Sequence, residues 1–208
     1  HLYDLTNNKR FDVFPNGLNY RVLVPNSGSE KNCVLFGDNQ TTSVTSIIPV
    51  TPSAMFSDYR ALAPDSAFLI ITHQSLMSGA QDYKDYRETF NGGSHKAMIT
   101  DVDQLYDQYA YGIEKHPLSI RRFCDFAISN FPSPPRYLFL MGKSVKISEC
   151  RNFSLWGDNR YLYNYATTLV PSMGSPVCDN LLTAGLNGTL LQPAIWTGRI
   201  AANNPADV

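Results

Sequence analysis

Hydrophobic residues follow two different patterns along this chain, and the change comes near residue 67. The run at 67–72 places Phe68, Leu69, Ile70 and Ile71 in a row with no polar interruption. A strand that other elements cover on both faces has this unbroken apolar pattern, which is typical of a parallel sheet. The pattern therefore predicts that residues 67–72 form the first and central strand of an α/β unit.

Before residue 67, short β-prone pieces alternate with clusters of Asn, Gly, Pro and Ser. The predicted strand pieces are residues 11–14, 19–24, 33–36 and 43–50. Turn signals at such short spacing predict a meander of short antiparallel strands. We therefore expect residues 1–62 to be a β-rich leader segment, the end of a preceding β domain, and residues 63–208 to be an α/β unit.

After residue 67, strand-like and helix-like stretches alternate. The pattern predicts helices over 75–90, directly after Asp101 and over 117–131, with further strands over 95–100, 137–141 and 194–198. Such alternation is typical of a parallel sheet with connecting helices. The strands at 67–72, 95–100 and 137–141 should therefore form a mostly parallel sheet with helices on both faces.

Two of the predicted helices carry distinct signals. Phe123 and Cys124 lie on a continuous apolar stripe of helical period, which begins after Pro117, a residue favoured in the first helical turn. The stripe makes Cys124 a core residue. At the helix before it, Asp101 can act as the N-cap, and Gln104 is placed to complete a capping box.

Composition excludes several classes of function. The formal net charge is −1 and no basic run occurs, which excludes nucleic acid and anionic membranes as partners. No stretch reaches the roughly 18 apolar residues of a transmembrane segment. The four cysteines lack the spacing of a zinc site, and a disulfide between Cys150 and Cys178 stays open. The 12% aromatic content and the scarcity of lysine favour an extracytoplasmic protein.

The segment 143–193 is the main candidate region for function. It has weak periodicity, and long connections of this kind are usually functional. It also follows the carboxyl end of the third strand, where open α/β sheets bind ligands. Its aromatic residues fit either a stacking surface for a sugar or peptide or an exposed hairpin that covers the core. These residues are Trp156, Tyr161, Tyr163 and Tyr165.

Four further side chains stand where parallel strands end or beside the candidate region. His73 follows the first strand and fits either a catalytic group or a hydrogen bond to the next helix. Lys143 fits an anion site, a carboxylate partner or a solvated charge. We expect Arg199 to be structural and to pair with a carboxylate. Cys178 is a poor nucleophile, because the charge of Asp179 beside it would raise its pKa.

Six stretches, taken in this order, resemble the gingipain family of cysteine peptidases, the C25 family. They are residues 65–73, 101–107, 117–123, 135–142, 175–182 and 198–200. The resemblance covers about residues 60 to 208 and includes relatives in the type IX secretion system, such as the surface sortase-like member. It implies the N-terminal portion of a caspase-like α/β domain, the first of two side-by-side subdomains.

By this resemblance the catalytic Cys and His lie in the second subdomain, beyond residue 208, so no catalytic residue is expected within the chain. The implied partners are a peptide or protein substrate and that C-terminal catalytic subdomain. The implied location is secreted or on the surface of a bacterium. An inactive or sortase-like interaction module on the same fold is the alternative. Gingipains carry structural calcium, although no dense carboxylate cluster here argues for an ion.

One site residue follows from the resemblance. In the arginine-specific members an Asp lines the pocket for the basic side chain of the substrate, and the matching position here is Asp179. A carboxylate can hold a guanidinium through two hydrogen bonds. The surroundings differ, because Cys178 replaces a Ser, Leu182 replaces an aromatic residue, and Lys143 stands where the family often has an acid. Glu149 is the first carboxylate after that position.

Overall fold

The structure is a computed structural model that describes residues 1–25, 28–37, 39, 42–46, 55–151 and 160–208. The chain divides into two compact units, His1–Ile48 and Pro49–Val208. Short strands are the main regular elements among the described residues of the first unit. The second unit contains the α/β structure and the candidate site.

The described part of the first unit contains five short strands. They are β1 (Leu2–Asp4), β2 (Lys9–Phe11), β3 (Phe14–Asn16), β4 (Asn19–Arg21) and β5 (Cys33–Leu35). The strands β2, β1 and β5 make one antiparallel sheet in that order, and β3 and β4 make a hairpin. The antiparallel β-rich start is therefore confirmed. The strand expected over 43–50 is wrong for residues 43–46, which are irregular, and its remainder lies outside the described residues.

A four-stranded parallel sheet forms the centre of the second unit. Its elements in chain order are α1 (Tyr59–Leu62), β6 (Phe68–Thr72), α2 (Met77–Glu88), β7 (Ala97–Asp101), α3 (Val102–Tyr109), α4 (Leu118–Asn130), β8 (Tyr137–Met141), α5 (Ile147–Arg151), α6 (Arg160–Thr167) and β9 (Trp196–Ile200). The strand order is β7-β6-β8-β9, and every neighbouring pair is parallel. The predicted α/β fold class is confirmed, and the last strand joins the sheet two residues later than the sequence indicates.

The strand β6 lies in the middle and is buried along its whole length. Leu69 and Ile71 belong to the larger hydrophobic core, together with residues of α3 and α4 such as Phe123. Phe68 and Ile70 point to the other face and pack in a smaller core, which α2 covers. Because successive side chains of a strand point to opposite faces, the unbroken apolar run serves two cores at once.

The capping box predicted after β7 is wrong. Asp101 does cap α3, since its Oδ1 accepts a hydrogen bond of 3.1 Å from the Asp103 amide. Gln104 does not reach back to it: its Oε1 accepts hydrogen bonds from the hydroxyls of Ser57 and Tyr59. Tyr59 is buried against Phe123. Buried hydroxyl groups are usually hydrogen-bonded, and the Gln104 side chain serves the Tyr59 hydroxyl. It is therefore not used in a capping box with Asp101.

The structure answers two questions about the segment 143–193 that the sequence left open. The exposed hairpin that would contain Tyr163 and Tyr165 is instead the helix α6. The hydroxyl of Tyr165, in this helix, donates a hydrogen bond to the Glu114 carboxylate. Cys150 is buried and Cys178 is exposed, and the two are not joined in a disulfide.

Candidate functional site

The candidate site lies where the carboxyl ends of the parallel strands meet. The chain leaves β6 toward β7 on one side of the sheet, whereas β8 leads to β9 on the other side. Open α/β sheets bind ligands in the crevice at such a reversal. A buried hydrogen bond of 3.2 Å from the Thr72 hydroxyl to the Met141 carbonyl ties the ends of β6 and β8 together.

Gly142 allows the chain to turn directly after β8. Its φ is +147°, and a Cβ at this position would lie 2.9 Å from Val170 Cγ2 and 3.0 Å from Leu169 Cβ. Its amide donates to the Ile200 carbonyl at 2.9 Å, and the Leu169 amide donates to the Lys143 carbonyl at 2.9 Å. Only a residue without a side chain fits this close approach. The segment after β8 is thereby held against the strand ends.

The side chain of Arg199, on β9, joins these parts. Its Nε lies 2.7 Å from Asp179 Oδ2, and its Nη2 lies 2.9 Å from Asp179 Oδ1. Its Nη1 donates to the carbonyls of Gly142 at 2.7 Å and Val170 at 2.8 Å, and Nη2 also donates to Pro171 at 3.3 Å. All five N–H donors of the guanidinium therefore have an acceptor. We call this set of contacts the Arg199 clamp.

Asp179 begins a short 3-10 turn, Asp179–Leu182, which a helix holds in place. Arg121 of α4 donates from Nη1 to the carbonyls of Leu181 at 2.9 Å and Ala184 at 2.8 Å. Leu182 is buried in the larger core. Asp179 is thus fixed by its own turn, by α4 through Arg121, and by β9 through Arg199. Its side chain is 20% exposed, against 14% for Arg199.

The structure brings together two residues that the sequence singled out for different reasons. Asp179 was predicted as a pocket residue and Arg199 as a structural partner of a carboxylate, and the two form one bidentate ion pair. The pair uses two of about four acceptor positions of the carboxylate. The remaining positions can accept another donor, but the positive charge of Arg199 offsets the attraction for a second cation. The pocket role of Asp179 stays a prediction.

The other candidates lie in ordinary structural positions. His73 accepts a hydrogen bond of 3.1 Å at Nδ1 from the Ser75 amide, so its predicted hydrogen bond to the next helix is confirmed. Lys143 places its Nζ 5.6 Å from the ring centroid of Tyr163, a cation–π contact. Glu149 is exposed on α5. The contacts of His73 and Lys143 account for these two side chains without a ligand.

Metal and thiol chemistry find little support in the described ranges. No group of three or more His, Cys, Asp and Glu side chains among the described residues could hold a metal ion. Cys124 is completely buried, and burial raises the pKa of its thiol to about 12. A thiol with this pKa is protonated at neutral pH and is not a nucleophile. Cys124 is a core residue, as its place on the apolar stripe predicted.

Sequence reasoning missed the structural roles of Arg121 and Gly142. The signal for Gly142 was present, because a glycine directly after a buried strand indicates a close backbone approach or a positive φ. Arg121 gave no signal, because its acceptors are carbonyl groups about 60 residues further along the chain. Such acceptors belong to the fold and cannot be read from the side chain alone.

Comparison with known proteins places this architecture. The crystal structure of dimeric latent PorU from Porphyromonas gingivalis is similar, with a TM-score of 0.52 and 18% sequence identity. The match covers 70% of this chain and 15% of the PorU chain, and at this identity it shows a shared fold. No curated protein matches. No helix in the described ranges combines the length and apolar character needed to cross a membrane.

The family comparison covers the α/β unit. The model of peptidase family C25 matches residues 61–208, which is most of the chain. The match includes the parallel sheet, the Arg199 clamp and Asp179. This chain therefore belongs to peptidase family C25.

Proposed function

We propose that this chain is the N-terminal portion of a secreted, gingipain-like cysteine endopeptidase and supports the catalytic subdomain of that protein. The catalytic Cys and His are then supplied by residues outside 1–208. The observation that carries the proposal is the Arg199 clamp. It fixes the Asp179 carboxylate at the edge of the sheet where α/β proteins bind ligands. Membership of a peptidase family supports peptides or proteins as substrates.

The state of the buried cysteines supports a nucleophile elsewhere. Cys124 is a core thiol with a raised pKa, and Cys150 is also buried. Catalytic thiols need access to substrate and a neighbouring base or positive charge. Cys178 is exposed, and the residue beside it is an acid, Asp179, rather than a base. The chain therefore contributes walls and support to the site, and the nucleophile comes from the second subdomain.

In this proposal Asp179 contacts the substrate residue before the scissile bond. The side chain of Asp179 keeps 20% exposure, and its carboxylate has acceptor positions beyond the two that Arg199 uses. Because Arg199 already neutralises the carboxylate, we expect only a modest preference for Arg or Lys at that substrate position. A strong preference would require a second carboxylate from outside this chain.

The same neutralisation favours a second candidate function. A clamp that satisfies Asp179 internally suits a module that no longer binds a basic substrate side chain. The longer protein would then be an inactive or sortase-like member of the family, acting in type IX secretion or at the bacterial surface. Both functions imply an extracytoplasmic location.

The two functions are separated by assaying the 208-residue chain and the longer protein that contains it. The substrates are matched peptides with Arg, Lys or norleucine before the scissile bond. We expect no cleavage by the chain alone and cleavage by the longer protein. Hydrolysis by the chain alone would overturn the proposal. Peptide transfer to an added amine, without hydrolysis, would establish the sortase-like function.

A variant pair tests the role of Asp179 in the longer protein. Asp179→Asn should raise KM for the Arg peptide several-fold and leave the norleucine peptide unchanged, because only the basic side chain uses the charge. Asp125→Asn, on the exposed face of α4, is the matched control. An equal change of KM for both peptides would assign Asp179 a purely structural role.

A further inference from the structure

The two faces of the parallel sheet are covered to different extents. On the face of the larger core, α3 and α4 pack against the strands. On the other face α2 packs mainly over β6 and β7, and the side chains of β8 and β9 on this face stay partly open. Trp196 is 75% exposed, and Tyr137, Phe139 and Ile200 are only partly buried. We call these four residues, together with Gly198, the open half of the sheet.

The residues of the open half lie side by side and are apolar. Tyr137 pairs with Trp196 in the register between β8 and β9, and Phe139 pairs with Gly198. These four residues are part of the wall of a cavity of about 400 Å³. Among the described residues that line this cavity none is charged. Because parallel sheets almost always have both faces covered by helices, an apolar face of this kind indicates a missing cover.

Gly198 makes the open half suited to close packing. It is exposed in the middle of β9, opposite Phe139. A Cβ at this position would lie 3.4 Å from Phe139 Cδ2, so its absence leaves the edge of that ring uncovered. A glycine inside a strand often marks the close approach of another backbone. A helix can therefore pack directly on β8 and β9 here.

The chain that follows β9 carries the signals of a helix start. Asn204 caps the turn Pro205–Asp207, since its Oδ1 accepts a hydrogen bond of 3.0 Å from the Ala206 amide. Asp207 reaches back, and its Oδ2 accepts a hydrogen bond of 3.1 Å from the Asn204 amide, which completes a capping box. Pro205 stands at the first position of the turn, where helices favour proline. Together these features mark the N-terminus of an α-helix.

This first turn lies beside α2, on the face of the smaller core. Val208 is partly buried and packs against that core. A Cβ at Gly79 of α2 would lie 2.7 Å from the Pro205 carbonyl oxygen and 2.9 Å from Val208 Cβ, so the glycine permits this approach. A helix that starts at the carboxyl end of β9 and packs beside α2 runs back over the open half. A five-residue strand is about 16 Å long, and an α-helix of about 11 residues has that length.

We propose that Pro205–Asp207 is the first turn of a helix that continues after Val208 in the longer protein and covers the open half. The inference rests on the proposed function, because it takes this chain to be the N-terminal portion of a longer protein. The helix is amphipathic, with its apolar face toward Phe139 and Trp196 and its polar face toward solvent. The connection to the catalytic subdomain then begins as a packed helix and not as a flexible linker.

The fluorescence of Trp196 tests the proposal. Trp156→Phe leaves Trp196 as the only tryptophan of the chain. Acrylamide quenching of this variant is compared with that of the same variant extended by the about 20 residues that follow Val208 in the longer protein, which is enough for the helix. We expect quenching to be several-fold weaker in the extended chain, with blue-shifted emission and a gain of helix by circular dichroism.

Two results would overturn the proposal. One is equal quenching in the two chains. The other is protection of Trp196 that grows with the concentration of the 208-residue chain, which would assign the open half to a second copy. No peptide is cleaved in this assay, so its outcome is independent of the peptidase function. Protection in the extended chain, with no cleavage by the longer protein, would keep this inference and overturn the peptidase function alone.

A pair of asparagine variants locates the start of the helix. Asn204→Ala removes the cap and should strengthen the quenching of Trp196 in the extended chain. Asn187→Ala is the matched control, because its Oδ1 also accepts a hydrogen bond from an amide two residues on, that of Thr189 at 3.1 Å, in an exposed turn. Neither variant should change the quenching in the 208-residue chain. Equal quenching for the two variants in the extended chain would refute Asn204 as the start of the cover.

Discussion

Replacing Arg199 with methionine tests the contact that joins β8, β9 and the segment between them. The methionine keeps a long apolar side chain but removes five N–H donors. Asp179 is left as an unpaired carboxylate with 20% side-chain exposure, and the carbonyls of Gly142, Val170 and Pro171 lose a donor. The variant therefore isolates the guanidinium from the packing of its stem.

The expected loss of stability is large for a single substitution. Breaking one partner of a buried ion pair costs about 3–5 kcal/mol. Because both side chains of this pair keep some contact with water, we expect the lower limit, about 3 kcal/mol. For a chain of this length such a loss lowers Tm by about 6–12 °C. Arg199→Lys keeps the charge but loses the planar fork, so it should cost about half as much.

Urea unfolding followed by circular dichroism measures these losses. A double-mutant cycle with Asp179→Asn should give a coupling energy of about 1–2 kcal/mol, because the double variant leaves no charge unpaired. Arg122→Met is the control: this exposed arginine donates one hydrogen bond of 2.9 Å to the Tyr109 carbonyl. Its replacement should cost about 0.5 kcal/mol. Equal losses for Arg199→Met and Arg122→Met, or a coupling energy near zero, would refute the reasoning.

Three other variants test the fold around the site. Gly142→Ala should lose about 1–2 kcal/mol more free energy of unfolding than Gly188→Ala, measured by urea unfolding. Both glycines have positive φ, but only Gly142 has atoms within 3 Å of the new Cβ. Equal losses would contradict this steric explanation. Burial raises the pKa of Asp101 above its ordinary value of 3.8, so the folded chain should lose stability as pH rises through the raised pKa. Asp101→Asn keeps a side chain that can cap the helix but does not titrate, so the urea midpoint of this variant should depend less on pH. An unchanged pH dependence would show that other groups cause it. Phe123→Ala in the core should cost about 3–5 kcal/mol by the same assay. Phe90→Ala, at 90% exposure, should cost no more than about 0.5 kcal/mol, and similar losses would place Phe123 outside the core.

Local periodicity predicted most of the α/β fold. The apolar run of β6 and the apolar stripe of α4 can be recognised from neighbouring residues alone. This is because a strand or a helix places its buried side chains at its own fixed period. The parallel sheet follows from the alternation of these elements. Element ends were less accurate, as at β9, because a strand ends where its pairing with β8 ends and not where its apolar residues do.

The candidate site could be predicted only in part. Position at a strand end drew attention to His73 and Arg199, and the family resemblance drew attention to Asp179. Which carboxylate pairs with Arg199 could not be predicted, because Asp179 lies 20 residues earlier in the chain and reaches Arg199 only in the folded structure.

By itself the sequence determined which stretches are apolar on one face or on both, and therefore the β-rich start, the parallel sheet and the helices beside it. Tertiary structure decided which polar groups meet. In the folded chain Gln104 accepts hydrogen bonds from Ser57 and Tyr59, and Asp179 forms an ion pair with Arg199. The physical reason is that burial of apolar surface depends on periodicity within one element. A polar partner depends instead on which donors and acceptors the folded chain removes from water together.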